Sequence, residues 1–428
     1  MTAVERLSFF GRITSEQGAR VPPCSFGVRQ CPCSRDELHG MWRASDDATS
    51  IEPHASFYIH VPFCHKRRCT FCMYASSTDY TTSDLSDYRR YVARDLAAWS
   101  PLVDRARIRN LYVGGGTPSV YSPEDLGDML SRFRDFEYEP LGERTCEMSP
   151  TTATEEHVRA VAGCGINRLS LGIQSFDPSV AAAINRDAAD ADHVRRLCTC
   201  ACECSFVDVN LDLMLGIPGI SEANLRDSVR LVQKVGALSA SVYYWRQTDV
   251  PRARLKWEYD IVCEEMRDGG WSLESGSAET EYHLFFSPER RRDTLRYVTS
   301  GNCIDNMRVV GLGIHAHGFR PALSYTCSGE NLYQVWCMDR SAQQRMAAAN
   351  MLYHNDGVLD KRLFRKAFGE DASSCFASEI EELRCLGAIL ETDGELKLVG
   401  RDEREMLSLQ KFFWDIEYLL RRYGGAKA

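Results

Sequence analysis

Phe57-Tyr58-Ile59-His60-Val61-Pro62-Phe63-Cys64-His65-Lys66-Arg67-Arg68-Cys69-Thr70-Phe71-Cys72 is the stretch from which the rest of the chain can be read. The aromatic and β-branched run Phe57–Val61 predicts a strand, and three thiols then follow within nine residues of loop. Three is the informative number. A structural zinc site is normally closed by four ligands, whereas a four-iron cluster on three thiolates leaves one iron open to a further ligand. A zinc knuckle completed by His60 or His65 is the competing reading of the loop taken alone.

Working outward, short β-branched or aromatic runs recur at Ile108–Val113, Arg144–Met148, Arg168–Ile173, Val207–Met214 and Ser239–Trp245, with helical stretches between them. One helix opens at Ser122-Pro123-Glu124-Asp125, where Ser122 can cap, Pro123 suits the first turn and the acids favour the dipole. Another opens at Thr154 and stops near Gly163 and Gly165. Six strand–helix alternations predict an α/β sheet or barrel whose chemistry sits at the strand carboxyl ends. Residues 1–50 show no sustained periodicity and are expected to form an irregular extension. From Ser341 onward helices and a hairpin at Asp393-Gly394 predict a small winged-helix-like domain over 336–428, leaving 51–335 to the barrel.

Composition narrows the function. A formal charge of −9 offers no footprint for a nucleic-acid backbone or an anionic membrane, and no apolar run reaches the roughly 18 residues of a membrane span. The expectation is a cytoplasmic protein, a monomer, acting on a small molecule, without nucleic-acid or membrane partners. Eighteen cysteines without a secretory signal argue against a disulfide framework. Cys146, Cys164, Cys263 and Cys385 are expected to be small buried hydrophobes. Two motifs fall at strand ends: Gly114-Gly115-Gly116-Thr117-Pro118, where missing side chains admit a ligand close to the backbone, and Glu147, which could accept from an ammonium group.

The succession of the Tyr58–Cys64 run, Gly114–Ser119, Cys146-Glu147-Met148-Ser149-Pro150, Asn167–Asp177 with Gln174, Asn185-Arg186, and Asn210-Leu211-Asp212 through Pro218 resembles the oxygen-independent coproporphyrinogen III oxidase-like branch of radical S-adenosylmethionine (SAM) enzymes. The resemblance covers about residues 55–320 and implies a partial (β/α)6 TIM-like barrel with a winged-helix-like tail. It implies Cys64, Cys69 and Cys72 as ligands of a [4Fe-4S] cluster, and Gly115 and Gly116 as contacts to the SAM amino group. Glu147, Gln174, Arg186 and Asp212 match further SAM-binding positions, Arg186 suiting a carboxylate and Asp212 ribose hydroxyls. Tyr58, Phe71 and Thr117 count among the cofactor contacts, and Tyr58 and His60, which strand alternation places on one side, are the catalytic candidates. Several branches hold a second SAM molecule. Such enzymes draw an electron from a reductant such as flavodoxin or ferredoxin, cleave SAM to a 5′-deoxyadenosyl radical and abstract hydrogen from a substrate.

The chain departs from the family in three places. Four residues, His65 to Arg68, separate the first two cysteines where the family has three. Met73-Tyr74-Ala75 stands where coproporphyrinogen oxidases carry a further cysteine, and Gly301-Asn302-Cys303-Ile304-Asp305 where the haem chaperones carry their signature. The expected reaction is therefore methylation or cyclopropanation of an sp² carbon in a natural product, a transferase activity. Coproporphyrinogen oxidation and a haem-binding chaperone role are the alternatives. Two further motifs stand apart: Cys198, Cys200, Cys202 and Cys204, which diverge if the segment is helical, and Arg290-Arg291-Arg292, expected as a solvated loop.

Overall fold

A computed structural model describes residues 1–17, 29–105, 107–245, 250–276, 282–290, 293, 306–355, 357–414, 416 and 419. The chain forms two compact units, Ser56–Tyr297 with Gly311–Ala316, and Met1–Ala55 with Val298–Val310 and His317–Ala428. Among the described residues no helix is long and apolar enough to cross a membrane.

The amino-terminal extension is not irregular. It contains α1 (Ala3–Gln17), β1 (Arg29–Cys33) and α2 (Arg35–Ala44). Helix α2 opens with a capping box between Ser34 and Glu37. Helix α1 buries Phe9, Phe10 and Ile13, a stripe at i, i+1 and i+4 that the polar residues between them hide from a simple reading of periodicity.

The first unit carries the strand–helix alternation that the sequence predicts. In chain order it holds β2 (His54–Val61), α3 (Thr82–Trp99), β3 (Ile108–Gly115), α4 (Pro123–Ser131), β4 (Arg144–Met148), α5 (Glu155–Gly163), β5 (Arg168–Gln174), α6 (Pro178–Ala183), α7 (Ala191–Glu203), β6 (Asp208–Leu215), α8 (Glu222–Lys234) and β7 (Ser239–Tyr244). Strands β3 to β7 pair in parallel in chain order, and β2 lies beside β3. Helix α9 (Arg252–Asp268) leads to the antiparallel pair β8 (Ser272–Ser275) and β9 (Tyr282–Phe286), which closes onto β7. This is a partial (β/α)6 barrel with an antiparallel appendix. Ser122 caps α4 and Thr154 caps α5, each accepting from a backbone N–H of the first turn as expected.

The floor of this barrel is ionic. Arg168 Nε lies 2.8 Å from Asp208 Oδ2, and Arg290 joins Glu143 at 2.7 Å and Asp208 at 3.2 Å. Arg290 is 4% exposed and stacks over Phe286, so it is a buried structural residue and not part of a solvated loop. Its charge is met by Glu143, just before β4, and by Asp208, the first residue of β6, a pairing that sequence distance conceals. Arg291 and Arg292 lie outside the described residues.

The second unit takes residues that were expected in the barrel. Strand β10 (Met307–Leu312) spans the division at Val310/Gly311; β11 (His317–Arg320), β12 (Leu323–Gly329) and β13 (Leu332–Cys337) run antiparallel within the second unit, and β13 pairs with β1 from Arg29↔Cys337 to Cys33↔Tyr333. The expected boundary at 335/336 fails for that reason, since these ladders tie 317–337 to the chain's beginning. Helices α10 (Arg340–His354), α11 (Lys361–Phe368), α12 (Ala372–Cys375), α13 (Ala377–Cys385) and α14 (Glu403–Gln410) surround β14 (Val358–Asp360), β15 (Ile389–Glu391) and β16 (Glu395–Leu398), paired in the order β14-β16-β15. The β15–β16 hairpin turns at Asp393-Gly394 as predicted, giving the winged-helix-like element. Phe364, Phe376, Phe412 and Phe10 are fully buried here.

Candidate active site

The thiol loop leaves β2 and docks on the turn after α6. Thr70 N donates to Ile184 O at 3.2 Å, and Asn185 Nδ2 to Arg68 O at 2.7 Å. Lys66 stands at φ 57 while Arg67 N reaches back to His65 O at 2.7 Å. The extra residue between Cys64 and Cys69 is thus taken up in one tight, exposed turn. All three thiols are half-buried. Burial pushes the Cys72 thiol up, and the nearby Cys69 and Cys64 sulfurs push the same way, so the three are electrostatic neighbours. Among the described residues no three His, Cys, Asp or Glu side chains close as tightly as a single metal ion would need.

Arg186 joins this loop to the barrel. Its guanidinium donates to Cys69 Sγ at 3.4 Å and to Gly172 O at 2.6 Å. Two residues near it hold left-handed backbones without being glycine, Gln174 at φ 67 and Asn185 at φ 60. Gln174 sits where the β5–β6 register shifts, a local strain of the sort that collects at functional sites.

Past its opening residues, each of the six strands leaves one position half-buried between fully buried neighbours: Tyr58, Tyr112, Glu147, Gly172, Asp212 and Tyr243. Apart from Gly172, which has none, their side chains converge. The Tyr58 and Tyr112 rings are 6.3 Å apart, and Tyr112 Oη donates to Glu147 Oε1. Asn210 Nδ2 donates to Asp212 Oδ1 at 2.8 Å. Burial raises Glu147, against hydrogen bonds from Tyr112 and the Gly115 N–H. Burial, then the Glu147 charge, lifts Asp212 to about 7, opposed by Asn210, Arg168 and Arg186. The two carboxyl groups therefore compete to ionise, which a ligand bearing positive charge would relieve.

Tyr58 and His60 face one another as strand alternation requires, with Tyr58 Oη 2.9 Å from His60 Nδ1. His60 Nε2 lies 2.8 Å from Ala75 O. A carbonyl only accepts, so Nε2 carries the hydrogen and Nδ1 accepts from Tyr58. Burial takes His60 down to about 4, which keeps it neutral.

The glycine run is sterically obliged. At Gly115, with φ 100, an added Cβ would lie 2.6 Å from the His60 ring. At Gly116 it would run into Phe63 O, and Gly116 N donates to Val61 O at 2.7 Å. Thr117 N donates to Phe63 O at 2.7 Å, tying the run to the start of the thiol loop. Phe71 is half-buried within the loop. The sequence reading missed Tyr112 and Tyr243. Both sit at the same depth of their strands as Tyr58, a signal that only the strand register makes visible.

The remaining cysteines separate from this centre. Cys198, Cys200, Cys202 and Cys204 lie on or just past α7, a helix, with Cys198 and Cys200 buried and Cys202 exposed. Cys146 is buried as expected and Cys164 and Cys263 are half-buried, but Cys385 is exposed. It is the last residue of α13, where the packed stripe ends.

Comparison with known proteins agrees with this geometry. Residues 58–232 match the model of the radical SAM superfamily. The chain is 33% identical over 184 residues to the oxygen-independent coproporphyrinogen III oxidase of Bradyrhizobium diazoefficiens, covering 41% of this chain and only 39% of that protein. It is 30% identical over 280 residues to the heme chaperone HemW of Haemophilus influenzae, covering 62% of this chain and 70% of that one. The solved structure of coproporphyrinogen III oxidase (HemN) from Escherichia coli superposes with a TM-score of 0.71 at 20% identity, over 90% of this chain and 95% of that one. These relatives match the oxidase and chaperone alternatives better than the methyltransferase expectation. With its thiol loop, glycine run and partial barrel, the chain belongs to the coproporphyrinogen III oxidase-like family of radical SAM enzymes, which work with a [4Fe-4S] cluster and SAM.

Proposed function

We propose that the chain holds a [4Fe-4S] cluster on Cys64, Cys69 and Cys72 and SAM across Gly115, Gly116, Glu147, Gln174, Arg186 and Asp212, and that it abstracts hydrogen from a small molecule. The observation that carries this reading is Arg186, whose guanidinium touches both Cys69 Sγ and Gly172 O. A cation there meets a carboxylate beside the thiol loop, while Glu147 suits an ammonium and Asp212 ribose hydroxyls. The donor set fits both groups: three neighbouring thiols in one loop, and a glycine run flanked by the Glu147 and Asp212 carboxyls and by the Arg186 guanidinium. Bound there, the cluster and SAM supply a one-electron cleavage that delivers an adenosyl radical. Tyr58 and His60 line the substrate side, with Tyr58 held as a donor by neutral His60. The electron comes from a flavodoxin- or ferredoxin-like reductant in the cytoplasm, where thiols stay reduced.

The relatives support an oxidoreductase acting on coproporphyrinogen III. Methylation or cyclopropanation of an sp² carbon is a second reading. It draws on Met73-Tyr74-Ala75 after the loop and on a lining in which burial keeps the Tyr112 and Tyr243 phenols protonated while Arg168 and Arg290 are held by carboxylates. Anaerobic reconstitution, reduction and mass analysis with SAM and coproporphyrinogen III test both. 5′-Deoxyadenosine with a vinyl product supports the oxidase, S-adenosylhomocysteine supports methyl transfer, and intact SAM refutes both. A Soret shift on haem titration without SAM cleavage would assign the chain to the chaperone class instead.

A further inference from the structure

Glu147 is fixed from one side by β3. Tyr112 Oη donates to its Oε1, the Gly115 N–H also bonds the carboxylate, and Oε2 occupies the space over Gly114, where a Cβ would lie 2.5 Å away. An ionised carboxylate offers about four acceptor directions. With some taken by β3, the others point away from that strand in a set orientation. Tyr112 is well suited to the task, because burial pushes its phenol well above the ordinary range and it stays a donor. The Tyr112 ring packs beside Tyr58, a contact that a phenyl ring would make as well, so packing alone does not call for the hydroxyl.

We propose that Tyr112 is a positioning residue for SAM: by holding Glu147 Oε1, its hydroxyl aims the remaining carboxylate lone pairs at the α-ammonium group of the cofactor. This rests on the reading that Glu147 receives that ammonium. Tyr112 touches no reacting atom. It acts through Glu147, as a second group that keeps a binding carboxylate from rotating out of line.

The groups facing Glu147 are Tyr112 on β3, Arg168 on β5, Asp212 on β6, Tyr243 on β7 and Tyr74 after the thiol loop. Of its acid–base neighbours, Tyr112 and Arg168 favour the ionised form of Glu147. Loss of the hydroxyl therefore moves Glu147 ionisation to higher pH, and a cation-binding step moves with it.

The test is equilibrium binding of SAM to the reconstituted protein without reductant, by calorimetry, for wild type, Tyr112→Phe and Glu147→Gln. A SAM analogue lacking the α-amino group is titrated alongside. Iron content and melting temperature serve as folding controls. The expected result is a Kd for SAM raised about tenfold by Tyr112→Phe, an upward shift in the pH at which binding strengthens, and unchanged affinity for the des-amino analogue. If Glu147→Gln weakens SAM but Tyr112→Phe does not, the positioning role is overturned while the SAM site stands. If Glu147→Gln leaves SAM affinity intact, the assignment of Glu147 falls and the positioning role with it. Equal weakening of SAM and the des-amino analogue by Tyr112→Phe would mark a packing effect and also overturn the proposal.

Discussion

Gly114 and Glu147 share a space that admits only one of them: a Cβ on Gly114 would stand 2.5 Å from Glu147 Oε2 and 3.0 Å from the Tyr112 ring. The first glycine of the run is there for a carboxylate on the neighbouring strand. Gly114→Ala is expected to push Glu147 out of line and weaken SAM binding by at least about tenfold, roughly 1.4 kcal/mol. Iron incorporation should be normal, because Gly114 touches none of the loop thiols. Calorimetric SAM titration with parallel iron analysis checks both halves.

Replacing Cys64, Cys69 or Cys72 singly with alanine removes one of the three proposed cluster ligands. Each variant is expected to lose most of its iron and its brown absorbance, along with 5′-deoxyadenosine formation. A variant that keeps full iron and cleaves SAM would exclude that thiol as a ligand.

The α7 cysteines predict the opposite. Cys202 is exposed and Cys204 half-buried on a helical segment, so Cys202→Ser with Cys204→Ser should leave iron content and cluster absorbance unchanged. Loss of iron per chain in this double variant would reveal an auxiliary centre.

Asp212 sets a stability trend with pH. Its folded value is raised to about 7 from an ordinary 3.8, so the folded state holds the proton more tightly and stability falls as pH rises between those values. Asp212→Asn removes that penalty. The variant is expected to be more stable than wild type by about 1–2 kcal/mol at pH 8 and similar at pH 4, while binding SAM more weakly. Urea melts at the two pH values decide it, and a pH-independent difference would reject the mechanism.

Arg168 anchors the ionic floor. Arg168→Met would leave Asp208, which is 0% exposed, with one guanidinium fewer, and is expected to destabilise the fold by about 3 kcal/mol. Chemical denaturation measures it. A neutral effect would mean that Arg290 alone compensates both carboxylates.

The parallel half of the fold was legible because short β-branched or aromatic runs alternate with helical stretches, and because Ser122 and Thr154 announce their helices. The three-thiol loop was visible in its spacing, but the family resemblance, not the spacing, favoured a cluster over a zinc knuckle. Strands β10 to β13 were not legible, since the sheet they form is completed by β13 pairing with β1 across some 300 residues, a partner no local pattern announces. The extension's helices escaped notice because α1 has an irregular stripe and α2 is short. Arg290 was misread because a run of three arginines looks solvated until Glu143 and Asp208 are brought beneath it. Tyr112 was missed for a related reason: its value depends on Glu147, 35 residues away and on another strand.

The single half-buried site on each barrel strand has an evolutionary corollary. Tyr243, which neither holds Glu147 nor pairs with His60, sits on a frame whose flanking residues carry the packing, so exchanging its phenol reshapes the lining without opening a void in the hydrophobic layers behind it. Selection can then retune which molecule is accepted through a single codon, at little expense to foldability. The same frame therefore lends itself to serving relatives with unlike substrates.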